Sequence, residues 1–379
     1  MLLRRIAIEN VRSFLERQEL TLEGQISIII GPNGGGKTNL LDTAVVMLRR
    51  FLLATRYFVH TPRADQPDRW ELRYNDQLSS LTLEKHSDGR ESPQIVEVEI
   101  EVTAVDVKNM ATIQAHADEA MAATKKRFDN SPWEAANGWE VSKLFAGQHF
   151  VYRLQDGALH TENSKEASDF LSYLQLFEID NQLRAELGQI ALQLPMVYLP
   201  VNRTSAAFHA NIGLYDYNDY EEKRSSDATS SRNGRSILQL AIGRLAQKYR
   251  LLQEEDNQSA REALKADKNL KALSEELKGL GYDWELRTIN ALRNEYDVAL
   301  SKQGTSFLVS AASSGERELL TYLFAIYALN VRNALIVIDE PELHLHPKWQ
   351  LALLHLFEKL SKSTGNQLDA SKNLWPNRG

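Results

Sequence analysis

The segment Gly31-Pro32-Asn33-Gly34-Gly35-Gly36-Lys37-Thr38 fits the pattern G-x-x-x-x-G-K-[S/T] in full. Its glycines let the backbone approach a bound group and turn several N–H groups toward it, which suits a phosphate. Lys37 would reach the β- and γ-phosphates of a nucleotide, and the Thr38 hydroxyl suits Mg²⁺. Asn33, Gly34, Gly35, Gly36, Lys37, Thr38 and Asn39 are therefore the candidate nucleotide contacts. A second cluster, Leu335-Ile336-Val337-Ile338-Asp339-Glu340, is an apolar run ending in two adjacent carboxylates. Asp339 at the edge of such a strand is the candidate metal ligand, and Glu340 is the candidate catalytic group that polarises the attacking water. A third, Ser313-Ser314-Gly315-Glu316-Arg317, opens an apolar helix. Small residues there can offer N–H groups and a hydroxyl to an anion, or Ser313 or Ser314 can simply cap the helix with Glu316 or Glu318 in its first turn.

These residues need elements to hold them. Leu2–Glu9 and Gln25–Ile30 read as short strands, the second a nearly continuous apolar run of the kind buried on both faces. After the glycine loop, Asn39–Tyr57 has helical apolar spacing at Leu40, Leu41, Val45, Leu48 and Leu52. From about Trp70 to Gln155 alternation takes over. It is clearest in Val96–Thr103, where Val96, Val98, Ile100 and Val102 oppose Glu97, Glu99, Glu101 and Thr103, and shorter in Gln148–Leu154. Val105–Phe128 reads as a helix inserted among these strands, and Met196–Pro200 as a strand leading to Asn202 and Arg203. Thr204–Gly234, rich in Ser, Asn, Asp and Tyr, shows no period and is expected to be a long loop. Ser236–Leu252 and Ser259–Leu280 read as amphipathic helices forming a short arm. Strand Ser306–Val309, helix Glu316–Leu329, buried strand Ala334–Ile338 and helix Lys348–Leu360 follow.

Composition is that of an ordinary globular protein of two or three domains: 379 residues, 43% hydrophobic, 25% charged, with 19 glycines and 10 prolines. The low Gly and Pro content disfavours turn-dense all-β folds. The absence of cysteine excludes disulfides and thiolate metal sites, including the C-x-x-C zinc hook of some long-armed DNA-repair ATPases. A net charge of −7 argues against general polyanion binding, though a local patch for DNA stays possible. With no apolar signal core near Met1 and no apolar stretch approaching roughly 20 residues, a cytoplasmic location without membrane contact is expected.

In order along the chain, Asn10-Val11-Arg12-Ser13-Phe14, the loop Gly31–Thr38, Ser313-Ser314-Gly315-Glu316-Arg317 and Asp339-Glu340-Pro341-Glu342-Leu343-His344-Leu345-His346-Pro347 resemble the motifs of ABC-type ATPase heads of the RecF, SMC and OLD (overcoming lysogenization defect) group. The last stretch is especially similar to OLD-like ATPases of bacterial anti-phage systems. The resemblance implies an α/β P-loop ABC-type head with a mixed sheet, split by an inserted helical and β region. The head would comprise 1–103, 196–203 and 303–379, the insert 104–195, and a flexible loop with a helical arm 204–302. It also implies an ATPase using ATP and Mg²⁺ whose heads close as a homodimer around nucleotide. Ser313 and Gly315 would then meet the γ-phosphate held by the opposite protomer, Leu343–His346 would form the D-loop, and Arg12 would lie near the nucleotide.

ATP-driven dimerisation would control a partner effector or DNA engagement, with phage defence the expected setting. Metal ligation by His344 and His346 with Glu340 and Glu342 is disfavoured, because Pro341 and Pro347 bracket a loop rather than a strand. The resemblance further implies a buried strand after Lys348–Leu360, ending in a switch histidine. Residues 361–379 read instead as a polar tail without histidine, so that strand is expected to be missing. The chain then reads as a shortened variant or one interrupted near Gln367, without a C-terminal nuclease domain. A nucleotide-binding switch or scaffold with little hydrolysis is the alternative reading.

Overall fold

The computed structural model describes residues 1–53, 56–60, 63–65, 70–124, 131–187, 189–190, 193–201, 212–215, 217, 219–231, 237–255, 260–343, 345 and 347–373. Asn202, Arg203, His344, His346 and the end of the tail, with Trp375 and Pro376, lie outside them, as does part of Thr204–Gly234.

In chain order, β1 (Leu2–Glu9), β2 (Gln18–Thr21) and β3 (Ile26–Gly31) precede α1 (Lys37–Val46), which continues as π-helical turns over Met47–Leu53. There follow β4 (Arg56–His60), β5 (Trp70–Tyr74), β6 (Ile95–Glu101), α2 (Ala104–Thr124), β7 (His149–Gln155), β8 (Ala158–Thr161), α3 (Lys165–Glu186) and β9 (Met196–Leu199). The middle of the chain forms β10 (Ile212–Gly213), α4 (Asp219–Asp227), α5 (Ile237–Glu255), α6 (Ala260–Ala266), α7 (Lys268–Gly279), β11 (Asp283–Asn290), β12 (Glu295–Lys302), β13 (Thr305–Leu308) and α8 (Ser314–Ala328). Strand β14 (Leu335–Ile338), helix α9 (Pro347–Thr364) and strand β15 (Gln367–Asn373) complete the described chain. Among the described residues no helix is long and apolar enough to cross a membrane.

Two compact units result. The first contains Met1–Leu199, Asn333–Pro341 and Gly365 onward; the second contains Pro200–Arg332 and Glu342–Thr364. Residues 104–195 thus share a unit with the glycine loop, and 204–302 lie in the other.

The first unit holds two principal sheets. Strands β3-β15-β14-β9 pair in parallel, in that order. All four residues of β14 and of β9 are buried, which is why both read as apolar runs. The antiparallel sheet β2-β1-β6-β7-β8 alternates instead: Val96, Val98 and Ile100 enter the core with Ile6 and Ile8, while Glu97 and Glu99 face outward and pair with Arg17 at 2.5 Å and Arg5 at 2.9 Å. One core joins that sheet to α1, α2 and α3 through residues such as Leu41, Leu48, Met110, Phe170 and Ile179.

Strand β15 corrects the expectation that the strand after Lys348–Leu360 is missing. Its sequence Gln-Leu-Asp-Ala-Ser-Lys-Asn is polar, yet Gln367–Ser371 is buried and β15 lies in the sheet interior between β3 and β14. Its polar side chains are satisfied inside the fold. The Gln367 amide accepts from Leu3 N at 2.7 Å and donates to Leu3 O at 2.8 Å and to Asp369 Oδ2 at 3.0 Å. Buried polar groups with partners carry little penalty, so a polar run can form a central strand.

Other boundaries differ as well. Helix Asn39–Tyr57 stops earlier, because Tyr57 belongs to β4 and pairs with Arg73. The expected single helix Ser259–Leu280 breaks at Asp267, whose carboxylate caps α7 by accepting from Asn269 N at 3.0 Å and Leu270 N at 3.3 Å. Within Thr204–Gly234, α4 and the short β10 form where no period was visible. Strands β11 and β12 form in a stretch read as loop and helical arm, with Trp284 and Leu286 of β11 buried, and β12 pairs antiparallel with β13, which matches the strand expected at Ser306–Val309. In this second unit Trp284 meets Phe324 of α8 edge-on at 5.7 Å, and Tyr322 of α8 meets Phe357 of α9 at 5.5 Å.

Candidate functional site

The glycine loop leaves the C-terminal end of β3 and enters α1. Gly34 and Gly36 have φ of 77° and 84°, left-handed values that favour glycine. Gly36 caps α1 without any side-chain hydrogen bond, so among the described residues no cap side chain closes the helix's N-terminal N–H groups. These groups and the helix dipole suit an anion. Lys37 is buried, with Nζ donating to Gly31 O at 3.0 Å and Pro32 O at 2.8 Å. Those bonds use two of three ammonium hydrogens and hold the charge in the loop's mouth. Thr38, one residue into the helix, makes no hydrogen bond with its hydroxyl among the described residues. Asn33, Gly34 and Gly35 are exposed.

The turn after β1 braces this loop. Phe14 lies so close to Gly36 that a Cβ there would sit 2.4 Å from the ring's Cζ. Asn39 Nδ2 donates to Ser13 Oγ at 2.9 Å. The Arg12 guanidinium forms an ion pair with Asp42 of α1, both side chains buried, and donates to Thr82 O at 3.0 Å. Arg12 from the turn and Asn39 from the first turn of α1 are thus committed to protein partners, and both tie the turn to the loop's helix. The left-handed backbone of Asn10 and Arg12, with φ of 54° and 50°, forms this turn. It is held by Asn10 Nδ2 donating to Gly89 O at 2.7 Å and by Arg12 N donating to Glu84 O at 2.8 Å.

Asp339 and Glu340 follow β14 directly. Asp339 is fully buried; its N–H donates to Leu199 O at 2.9 Å, and its Oδ1 accepts from the Ser371 hydroxyl. Glu340 is partly buried and has φ of 48°. Because β3 and β14 are parallel and separated only by β15, the loop and the two carboxylates emerge from the same edge of the sheet. Two strand spacings put them roughly 10 Å apart at their roots. Ligands of open parallel sheets collect at this carboxyl edge. Ser371 lies between them on β15, a residue no sequence motif singled out.

These residues fit a Mg²⁺-nucleotide. The loop offers N–H groups and one ammonium hydrogen for phosphate oxygens, while Thr38 Oγ1 and the Asp339 carboxylate are hard oxygen donors of the kind Mg²⁺ takes.

Ser313 and Gly315 belong to the second unit. Ser313 caps α8 in a reciprocal capping box: its Oγ accepts from Glu316 N at 3.4 Å and donates to Glu316 Oε2 at 2.8 Å, which also accepts from Ser313 N at 3.0 Å. Glu316 Oε1 accepts from Tyr282 OH at 2.5 Å, and Lys302 Nζ donates to that hydroxyl at 2.8 Å. Burial raises the Glu316 pKa, but the bonds from Tyr282 and Ser313 win and lower it overall. The cap reading of this motif holds, and the Ser313 hydroxyl lies at the helix's exposed N-terminus.

A glycine-loop strand and a carboxylate strand flanking one intervening strand of a parallel sheet define the α/β nucleotide-binding ATPase class. The chain belongs to the AAA ATPase domain family, whose model matches residues 1–369. Three solved structures are similar in fold. The Smc head domain with an extended coiled coil bound to the C-terminal domain of ScpA, from Pyrococcus furiosus, is 14% identical, with 98% of this chain and 89% of that chain covered and a TM-score of 0.43. An Smc head bound to the C-terminal winged-helix domain of ScpA is 14% identical over 99% and 90%, with a TM-score of 0.47. The SMC head domain from Thermotoga maritima is 12% identical over 99% and 90%, with a TM-score of 0.39. No curated protein sequence matches.

Proposed function

We propose that this chain is a cytoplasmic ABC-type ATPase of the OLD/RecF-like kind, which binds ATP with Mg²⁺ and hydrolyses it. The shared sheet edge carrying Gly31–Thr38 and Asp339-Glu340 is the observation that supports this reading most strongly. Lys37 and the loop N–H groups would hold the phosphates, Thr38 and Asp339 the metal, and Glu340 would take a proton from water. Mg²⁺, when bound, supplies charge neutralisation at the phosphates. Ser313 and Gly315 at the α8 N-terminus would complete the site of a second copy, so that ATP closes a homodimer. That closure would control a partner effector or DNA engagement, in keeping with the resemblance to anti-phage ATPases.

Lys37→Ala removes a charge-assisted contact of about 1.5–3 kcal/mol and should weaken ATP binding roughly 10- to 150-fold by isothermal titration. Glu340→Gln should bind ATP normally and accumulate as a dimer in size-exclusion chromatography with ATP. A Glu340→Gln protein that stays monomeric with ATP would sink the sandwich mechanism. A second reading, a nucleotide-dependent switch with little turnover, is favoured by one observation: the described end of β15, Ser371-Lys372-Asn373, carries no histidine. ATP binding with background hydrolysis would support it.

A further inference from the structure

We propose that Ser371 is a positioning residue for the carboxylate pair, fixing through one buried hydroxyl both the Asp339 carboxylate and the left-handed backbone of Glu340. The inference rests on the roles proposed above for Asp339 and Glu340. Ser371 is fully buried on β15, where Ala370 pairs with Ile338 and so brings the next residue of each strand side by side. The Glu340 N–H can only donate, so Ser371 Oγ accepts it, at 2.9 Å. The single hydroxyl hydrogen must then go to Asp339 Oδ1, which it reaches. The direction of both bonds is therefore determined, and the hydroxyl has no rotational freedom left.

Glu340 needs this anchor. Its φ of 48° is sparsely populated for a residue with a Cβ, and Pro341 restricts its backbone further. Such a conformation persists only where surrounding contacts hold it, and the Ser371 acceptor on β15 is one such contact. The same bond to Asp339 turns one carboxylate oxygen toward β15 and fixes where the other points. A hydroxyl behind a metal-ligating carboxylate acts through orientation, and removing such a group typically changes metal affinity or activity by about 10- to 100-fold.

The test compares the full chain with Ser371→Ala, Ser371→Cys and Ser371→Thr. Cysteine keeps the volume while weakening both bonds, and threonine keeps the hydroxyl. ATP is titrated with and without Mg²⁺. The Ala and Cys variants should hold the Mg²⁺-free affinity within about twofold while the tightening produced by Mg²⁺ shrinks by roughly 10- to 100-fold; Thr should restore it. Wild-type Mg²⁺ dependence in both Ala and Cys overturns the proposal, as does an equal loss with and without Mg²⁺, which marks a merely structural serine. If the wild type shows no Mg²⁺-dependent tightening, the ATPase reading fails and Ser371 is judged by hydrogen exchange. The Glu340 amide should then exchange at least about tenfold faster in Ser371→Ala while the β14 amides stay unchanged, because its acceptor is gone. Unchanged exchange at Glu340 overturns the proposal.

Discussion

Gly36→Ala is the perturbation whose cost can be worked most directly from the loop's geometry. Two separate costs add. At φ of 84° an alanine pays about 1–2 kcal/mol for the left-handed backbone. Its Cβ would also lie 2.4 Å from Phe14 Cζ, so the ring must move, at about 1–3 kcal/mol for overpacking. The substitution should destabilise α1 by about 2–5 kcal/mol in total, measured as the opening free energy of its amides by native-state hydrogen exchange. In a Phe14→Ala background the steric part disappears and only about 1–2 kcal/mol should remain. The coupling energy between the sites is then about 1–3 kcal/mol, well above the few tenths expected for independent positions. An equal cost of Gly36→Ala in both backgrounds would refute the claim that the Asn10–Phe14 turn packs on the phosphate loop.

Asp369, in the interior of the parallel sheet, gives a pH dependence. Desolvation pushes its carboxyl up to about 7, with bonds from Gln367 and Ser27 opposing the shift. A raised carboxyl favours the folded state fully below its unfolded pKa near about 4, and that stability is lost as pH rises to about 7, by up to about 4 kcal/mol. Asp369→Asn should flatten this slope and leave the variant more stable than wild type at pH 8, checked by urea midpoints at pH 5 and 8. The buried pair of Arg49 and Glu178, at 3.0 Å, gives another test. Glu178→Leu alone should cost about 3–5 kcal/mol by leaving Arg49's charge buried, whereas Arg49→Met with Glu178→Leu should recover roughly half or more in the same unfolding assay.

What was legible in the residues follows from where the polar groups go. Leu335–Ile338 was readable because it enters the parallel sheet as a fully buried apolar run, whereas Gln25–Ile30, expected to be buried on both faces, forms the edge strand β3 with Ile28 and Ile30 exposed. The loop was readable because its chemistry demands glycines, a lysine and a threonine at fixed spacing. Strand β15 was hidden because its inward-facing groups are polar and paired internally, Gln367 with Leu3 and Ser371 with Asp339, so burial left no hydrophobic trace. Ser371 was missed for the same reason, since its role arises only from the register that sets β15 beside β14. Hairpin β7–β8 did carry a signal: Asp156-Gly157, both at positive φ, is a favoured two-residue turn between strands. Arg12 was expected near the nucleotide; its side chain is paired with Asp42 of α1, a commitment that depends on packing against α1 that spacing alone does not encode.

The central claim is that the glycine loop and the carboxylate pair form one hydrolytic site. It is tested most directly by single-turnover hydrolysis of γ-labelled ATP, with binding measured on the same samples. Wild type and Glu340→Gln should bind Mg²⁺-ATP within about threefold of each other, and the variant should release phosphate about 10²- to 10⁴-fold more slowly, the usual worth of a general base. Equal phosphate release by the two proteins, or no ATP binding by wild type, would contradict it.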